Sequence, residues 1–275
     1  MLNRVKYIEQ GLQNHLKEFN KCYPDRELLG IFIQGSQNYN LDIYTDEYKS
    51  DIDTKAIVIP SLEEIVMNKK PISTTHILPN NEHLDIKDIR LYFEAFKKQN
   101  INFVEILYAP SIIVKEYEPY WRELLENREL IAHLNPNQAI RCMAGMSMEK
   151  KKALCHPYPT IKDKIDKYGY DGKQLHHIIR LFDFITCYCL GGSFQKCLTY
   201  YQPHKEEMMK AKKSEYSLDE AIKIANMFDT LTNEVKKMYV TEQDKINQDA
   251  LDLLYKTQYN IIKHKLKNDI KKEVS

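Results

Sequence analysis

A small α+β domain followed by an all-helical one is what this 275-residue sequence predicts. Three observations lead there. Strand-like alternation with period two is confined to the first 110 residues or so. After about residue 112, helical spacing of apolar residues takes over. Hydrophobic residues make up 43% of the chain against only 8 glycines and 10 prolines, enough for a sizeable core with few loops. The expected division is 1–112 and 113–275.

Residues 2–22 carry Val5, Ile8, Leu12, Leu16 and Phe19 at helical spacing, and Pro24 ends the pattern. A first strand is expected over 28–34, where Leu-Leu-Gly-Ile-Phe-Ile-Gln runs into a small-residue turn, Gly35-Ser36. Residues 37–50 are polar and tyrosine-rich and are read as a loop. The second strand is expected to carry Asp51-Ile52-Asp53 and to run to Ile59. Ser61-Leu-Glu-Glu64 has capping-box spacing and opens a short helix. Residues 68–82 form a loop or small hairpin. His83-Leu-Asp85-Ile-Lys87 alternates again as a third strand, with Asp85 opposite in direction to Leu84 and Ile86. Asp88 caps a helix with Ile89, Tyr92, Phe93 and Phe96 on one side. Asn102–Tyr108 is one more short helix, closed by Pro110.

Beyond 112 the predicted helices are 137–153, 172–190, one opened by the capping box Ser217-Leu-Asp-Glu220, and a last one over 243–270. In the third of these, Leu218, Ala221, Ile222, Ala225, Phe228, Leu231 and Val235 are expected to face inward. Internal repeats and low-complexity tracts are not evident.

Forty basic against 39 acidic residues give a net charge of +1, so a long polyanion would have to meet a local patch. The apolar runs are too short to span a membrane. The first residues are amphipathic and unlike a signal peptide. Six cysteines then point to free thiols in a reducing cytosol, and a cytoplasmic location is expected.

Asp51 and Asp53 share one face of a strand while Ile52 points to the core. Two adjacent carboxylates repel and call for a cation, and hard oxygen donors suit magnesium. Gly35-Ser36 offers backbone N–H groups to a phosphate at close approach. Asp85, on a neighbouring strand, completes a constellation able to hold two divalent ions for in-line displacement at phosphorus. Asp-x-Asp alone is usually inert and Gly-Ser alone is usually a turn. Their combination with Asp85 favours a metal site.

These motifs resemble the DNA polymerase beta superfamily of nucleotidyltransferases: a helix, a strand, Gly-Ser, a loop, Asp-x-Asp and a later acidic residue. Fourteen residues separate Ser36 from Asp51, a longer interval than the superfamily's, which implies an insertion over Tyr39–Lys49. More narrowly, the chain is similar to bacterial and phage predicted nucleotidyltransferases related to the RNA-repair-pathway polymerase-beta-like group. Gly35-Ser-Gln-Asn-Tyr39, Asn102-Phe-Val-Glu105-Ile-Leu107 and Tyr170-Asp-Gly-Lys173-Gln-Leu-His-His177-Ile-Ile-Arg180-Leu181 match that group's segments. The resemblance covers about residues 28–190.

It implies a nucleotidyltransferase-type mixed sheet, a helical domain closing over the nucleotide, and transfer of a nucleoside monophosphate from a nucleoside triphosphate, ATP foremost, to a hydroxyl. Asp51, Asp53 and Asp85 would be catalytic and hold two Mg2+ ions, with Mn2+ as substitute. Gly35, Ser36, Lys173, His177 and Arg180 would bind the nucleotide. Lys173, His177 and Arg180 recur at steps of four and three, so they share a helix face suited to a triphosphate. An RNA end, a protein side chain or a small molecule remains open as the acceptor. The rival readings are a non-catalytic nucleotide or nucleic-acid binder, and an interaction protein such as half of a toxin–antitoxin or phage-defence pair.

Other features have plainer readings. His176 is structural, and Glu105 is expected to pair with a basic residue and brace the domains rather than to bind metal. Cys187, Cys189 and Cys197 are free thiols in helical surroundings rather than zinc ligands. Gly191-Gly192 is a helix C-terminus. Lys210-Ala-Lys-Lys213 is a solvated face.

Overall fold

A computed structural model describes residues 2–274. The chain forms two compact units. One runs to Leu134 and resumes at Ile246; the other is Asn135–Lys245.

The first unit is α+β. In chain order it holds α1 (Leu2–Cys22), β1 (Glu27–Gln34), β2 (Asp53–Ile59), α2 (Leu62–Val66), β3 (Ser73–Ile77), β4 (His83–Asp88), α3 (Ile89–Lys97), α4 (Ile101–Val104), β5 (Ile112–Val114), α5 (Glu118–Glu126) and α6 (Arg128–Ala132). The strands form one sheet in the order β3-β4-β2-β1-β5. It is mixed: β2 and β4 run parallel, and the other pairs are antiparallel. The hairpin β3–β4 accounts for residues 68–82. Ser61 forms the anticipated capping box with Glu64, and Asp88 caps α3.

α1 lays Ile8, Leu12 and Phe19 against Ile31, Ile33, Ala56, Val58, Leu84 and Ile86 of the sheet. Tyr92, Phe93 and Phe96 of α3 are fully buried. Burial of this order supplies most of the unit's stability, at roughly 1.5–3 kcal/mol per large apolar side chain. Val5, expected on the buried stripe of α1, is 42% exposed, because the helix's first turn lies beyond the sheet core.

The second unit holds α7 (Pro136–Ala153), α8 (Lys162–Tyr168), α9 (Gly172–Cys189), α10 (Phe194–Thr199), α11 (Lys205–Lys212) and α12 (Leu218–Tyr239). α9 is its central element, with buried residues around most of its circumference. Gly172 lies against α11: a Cβ there would sit 2.1 Å from the Ala211 carbonyl oxygen. Ser217 and Glu220 form the second capping box. The buried stripe of α12 is Ala221, Ala225, Phe228 and Thr232, whereas Leu218 and Ile222 are each 39% exposed. The stripe follows one face at steps of four, three and four, which puts those two residues on its flank.

The last helix, α13 (Gln248–Val274), belongs with the sheet and not with the helical unit. It buries Ala250, Leu254 and Ile261. Lys256 reaches Glu123 at 2.9 Å, Lys265 reaches Glu27 at 2.8 Å, and Tyr120 Oη lies 3.2 Å from His264 Nδ1. The units therefore do not divide at residue 112. That position is inside β5, whose three residues are too few for alternation to be recognisable. Among the described residues, no helix is long and apolar enough to cross a membrane.

Candidate functional site

The Gly-Ser turn and the aspartate pair meet at one end of the sheet. β1 ends at Gln34, which pairs with Asp53, the first residue of β2. Gly35 then takes a left-handed conformation, φ +83°, which a side chain would strain, and opens a 3-10 turn over Gly35–Tyr39. Two buried amides fix this turn. Asn38 Nδ2 donates to the Ile33 carbonyl at 3.1 Å, and Gln37 Nε2 donates to the Asp51 carbonyl at 2.6 Å. Asp51 precedes the strand rather than lying within it and is exposed; Asp53 is partly exposed.

Between them Ile52 is buried as anticipated, against α1, where a Cβ on Gly11 would come within 2.8 Å of its side chain. Its N–H donates to Glu82 Oε1 at 2.9 Å. Glu82 Oε2 lies 3.1 Å from His15 Nε2, and His15 Nδ1 lies 2.7 Å from Thr54 Oγ1. A buried chain from α1 to β2 thus holds the backbone between the two aspartates. Burial would raise the Glu82 carboxyl, but hydrogen bonds from His15, the Ile52 N–H and Asn80 outweigh it and bring it below the ordinary carboxylate range. Tyr7 and Tyr48 flank Asp51. Burial raises both phenols, and the Asp51 charge adds to it.

Asp85 lies on β4, opposite Lys55 of β2 in the parallel register. Since β2 alternates, Asp53, Lys55 and Asp85 share one face. Asp53 Oδ1 accepts the His83 backbone N–H at 2.9 Å, with His83 Nδ1 3.2 Å away. Thr75 Oγ1 lies 3.5 Å from Asp85 Oδ1. Lys55 is 4% exposed, donates to Gln34 Oε1, and lies 3.9 Å from Glu105 Oε1. Glu105, itself buried, accepts from the Tyr39 hydroxyl. Burial pushes the Lys55 ammonium down, while Glu105, Asp85 and Asp53 oppose that shift. Asp53 and Asp85 sit toward the same end of the sheet, with Asp51 two residues before Asp53, and the oxygens of the three do not all lie within 4.8 Å of one another.

Lys55 was not singled out from the sequence. A lysine two positions after Asp53, leading the apolar run 56–59, is the signal that marks it. Glu82 and His15 left no such signal, because their partnership spans 67 residues.

In the helical unit, Asp171 caps α9 by accepting the Lys173 N–H at 3.0 Å. Lys173 is exposed, His177 half-buried and Arg180 buried. A fourth base, Lys150 of α7, faces them. Its ammonium is pushed down by burial and then by the charges of Lys173 and Arg180. His177 is held well below its ordinary value by burial and by His176, Arg180, Lys150 and Lys173, so it is neutral at neutral pH. A neutral imidazole still donates one hydrogen bond. His176 faces α11, with Nδ1 3.1 Å from the Met208 carbonyl, and burial takes its pKa down to about 3. It is structural, as expected. Cys187 and Cys197 are buried free thiols, and Cys189 is a partly buried one.

No family model matches the chain, and no curated protein does. A crystal structure of a nucleotidyltransferase-like protein from Exiguobacterium sibiricum 255-15 is similar over 85% of this chain and 78% of its own, at 15% identity and a TM-score of 0.32. A superposition that loose carries no argument about activity.

Proposed function

We propose that the chain is a divalent-cation-dependent nucleotidyltransferase. It would move a nucleoside monophosphate from a nucleoside triphosphate, ATP foremost, to a hydroxyl acceptor. The observation that carries this reading is the Gln34–Asp53 pairing, which sets Gly35-Ser36 against Asp-x-Asp with Asp85 on the same face. The acceptor oxygen would attack the α-phosphorus as the bond to pyrophosphate breaks, and Asp85 would take the hydroxyl proton.

The all-carboxylate donor set suits a hard cation. Asp51, Asp53 and Asp85 would hold Mg2+, or Mn2+ in its place, in two sites. The cation would supply charge neutralisation at the phosphates and acidify the acceptor hydroxyl. Backbone N–H groups of Gly35 and Ser36 would cradle phosphate oxygens. Lys55 would keep the carboxylates oriented by balancing their charge from within the sheet. Lys173, His177 and Arg180, with Lys150, are assigned to phosphate binding on their own unit. An RNA end, in repair or modification, a protein side chain and a small molecule are the acceptor classes.

Lys55 also favours one other reading. A buried ammonium beside Asp53 and Asp85 partly neutralises them without a metal, as in a non-catalytic nucleotide binder that retains the fold. Labelled nucleoside triphosphates with Mg2+ and a cell extract, followed by separation of RNA, protein and small molecules, test the enzyme reading. Label is expected in one fraction, with pyrophosphate release. Asp53→Asn is expected to reduce that release at least a hundredfold, roughly the 2.7 kcal/mol or more that a lost electrostatic stabiliser costs. Release that persists in an Asp51→Asn, Asp53→Asn double variant overturns the assignment.

A further inference from the structure

Away from the aspartates, the last turn of α1 and the edge strand β3 bring three different donor atoms together. Glu18 and Cys22 are four residues apart and share a face of α1. His76 lies on β3, which among the described residues pairs with β4 alone. Cys22 Sγ is 3.5 Å from Glu18 Oε1 and 3.8 Å from His76 Nε2, and His76 Nε2 is 3.5 Å from Glu18 Oε1. Among the described residues, this is the group of three metal-ligating side chains whose donor atoms lie within 4.8 Å of one another.

Two sides of the triangle match one face of a zinc tetrahedron, and the third, 3.8 Å, is about 0.2 Å longer. Bonds of about 2.3 Å to sulfur and about 2.0–2.2 Å to nitrogen and oxygen imply donor separations of roughly 3.3–3.6 Å. A thiolate, an imidazole and a carboxylate suit zinc and other late divalent metals rather than magnesium. Lys21 Nζ, 3.5 Å from Glu18 Oε1, is 76% exposed and free to swing away.

We propose that Glu18, Cys22 and His76 form a Zn2+ site with a fourth, solvent-facing position. Binding replaces the Cys22 S–H bond with an S–Zn bond and releases one proton to solvent. The ion would staple the end of α1 to the sheet's edge strand, an edge otherwise open to pairing with other chains. The site is independent of the nucleotidyl-transfer reading and shares no residue with it.

The test uses the full chain, stripped with a chelator in a thiol-free reductant. Titration with Co2+ is expected to give a thiolate-to-cobalt charge-transfer band at one ion per chain. Calorimetric titration with Zn2+ is expected to give one site. Cys22→Ser removes the band. Both Cys22→Ser and His76→Ala weaken Zn2+ by more than the ~10–100-fold lost with even an outer-shell partner. Asp53→Asn keeps the band, which separates this site from the aspartates. Far-ultraviolet circular dichroism checks that the variants fold. A wild-type chain without the charge-transfer band, or Zn2+ affinity unchanged in Cys22→Ser and His76→Ala, overturns the proposal.

Discussion

Buried charge sets the character of both units at the level of single residues. Lys55 is the clearest case: it is held inside the sheet by Glu105 and the two sheet aspartates, with Gln34 as hydrogen-bond acceptor. Removing one member of such a group leaves the others uncompensated, so Lys55→Met is expected to destabilise the chain by about 3–5 kcal/mol in urea unfolding. Adding Glu105→Gln should recover part of that loss; strict additivity would show that the two do not interact. Lys150 makes the opposite prediction. Burial, Lys173 and Arg180 outweigh the attraction of Asp171 and Glu149, and it makes no ion pair among the described residues, so Lys150→Ala should leave stability unchanged or raised. The same variant should weaken triphosphate binding about tenfold, roughly one charge-assisted hydrogen bond, in a fluorescent-nucleotide titration. His176 carries a pH signature. Its folded pKa, about 3, lies below the ordinary 6.5, so the unfolded chain takes up the proton first as pH falls. The stability it supports is complete above about 6.5 and is lost toward about 3, amounting to about 2 kcal/mol at pH 5. Thermal denaturation of His176→Leu, compared with wild type, should show a flatter decline over that range.

Among the elements, those anchored by local chemistry were legible in the sequence. Ser61, Asp88 and Ser217 each announce a helix start through a short polar side chain, and each caps one. β1, β2 and β4 show because their apolar runs are long or cleanly alternating. Asp85 faces away from Leu84 and Ile86 as the alternation implies. What stayed hidden depends on partners distant in sequence. β5 is a three-residue strand defined by its pairing with β1. The start of β2 at Asp53 rather than Asp51 is set by the pairing with Gln34. The address of α13 is set by Glu27, Tyr120 and Glu123. Lys150 joins the basic group only because α7 packs on α9, which no spacing within α7 could reveal. The α9–α11 contact offers a test of packing: Gly172→Ala puts a carbon on the Ala211 carbonyl, which also accepts the Ser214 N–H at 2.9 Å. The backbone there cannot yield without moving α11, and a loss of about 1–3 kcal/mol is expected in thermal unfolding.

Across the whole molecule, the helical unit is an insertion into the sheet unit. The chain leaves at Leu134 and comes back at Ile246, and the Asn247 N–H donates to the Leu134 carbonyl at 2.8 Å. Exit and return are therefore neighbours. Replacing 135–245 by a short Gly-Ser linker is expected to leave a folded sheet unit with cooperative unfolding. Truncation after residue 245 should cost that unit more, although it deletes far less of the chain, because α13 goes with it. Proteolytic resistance of the two products would rank them, and the reverse order would refute the assignment of α13. The placement of α13 also has a meaning for biosynthesis. A ribosome releases the chain from its first residue onward, so every residue of the helical unit has emerged before the closing helix of the sheet unit does. The middle of this protein can mature during translation, whereas its catalytic candidate, begun first, must wait for the later emergence of α13 to be finished.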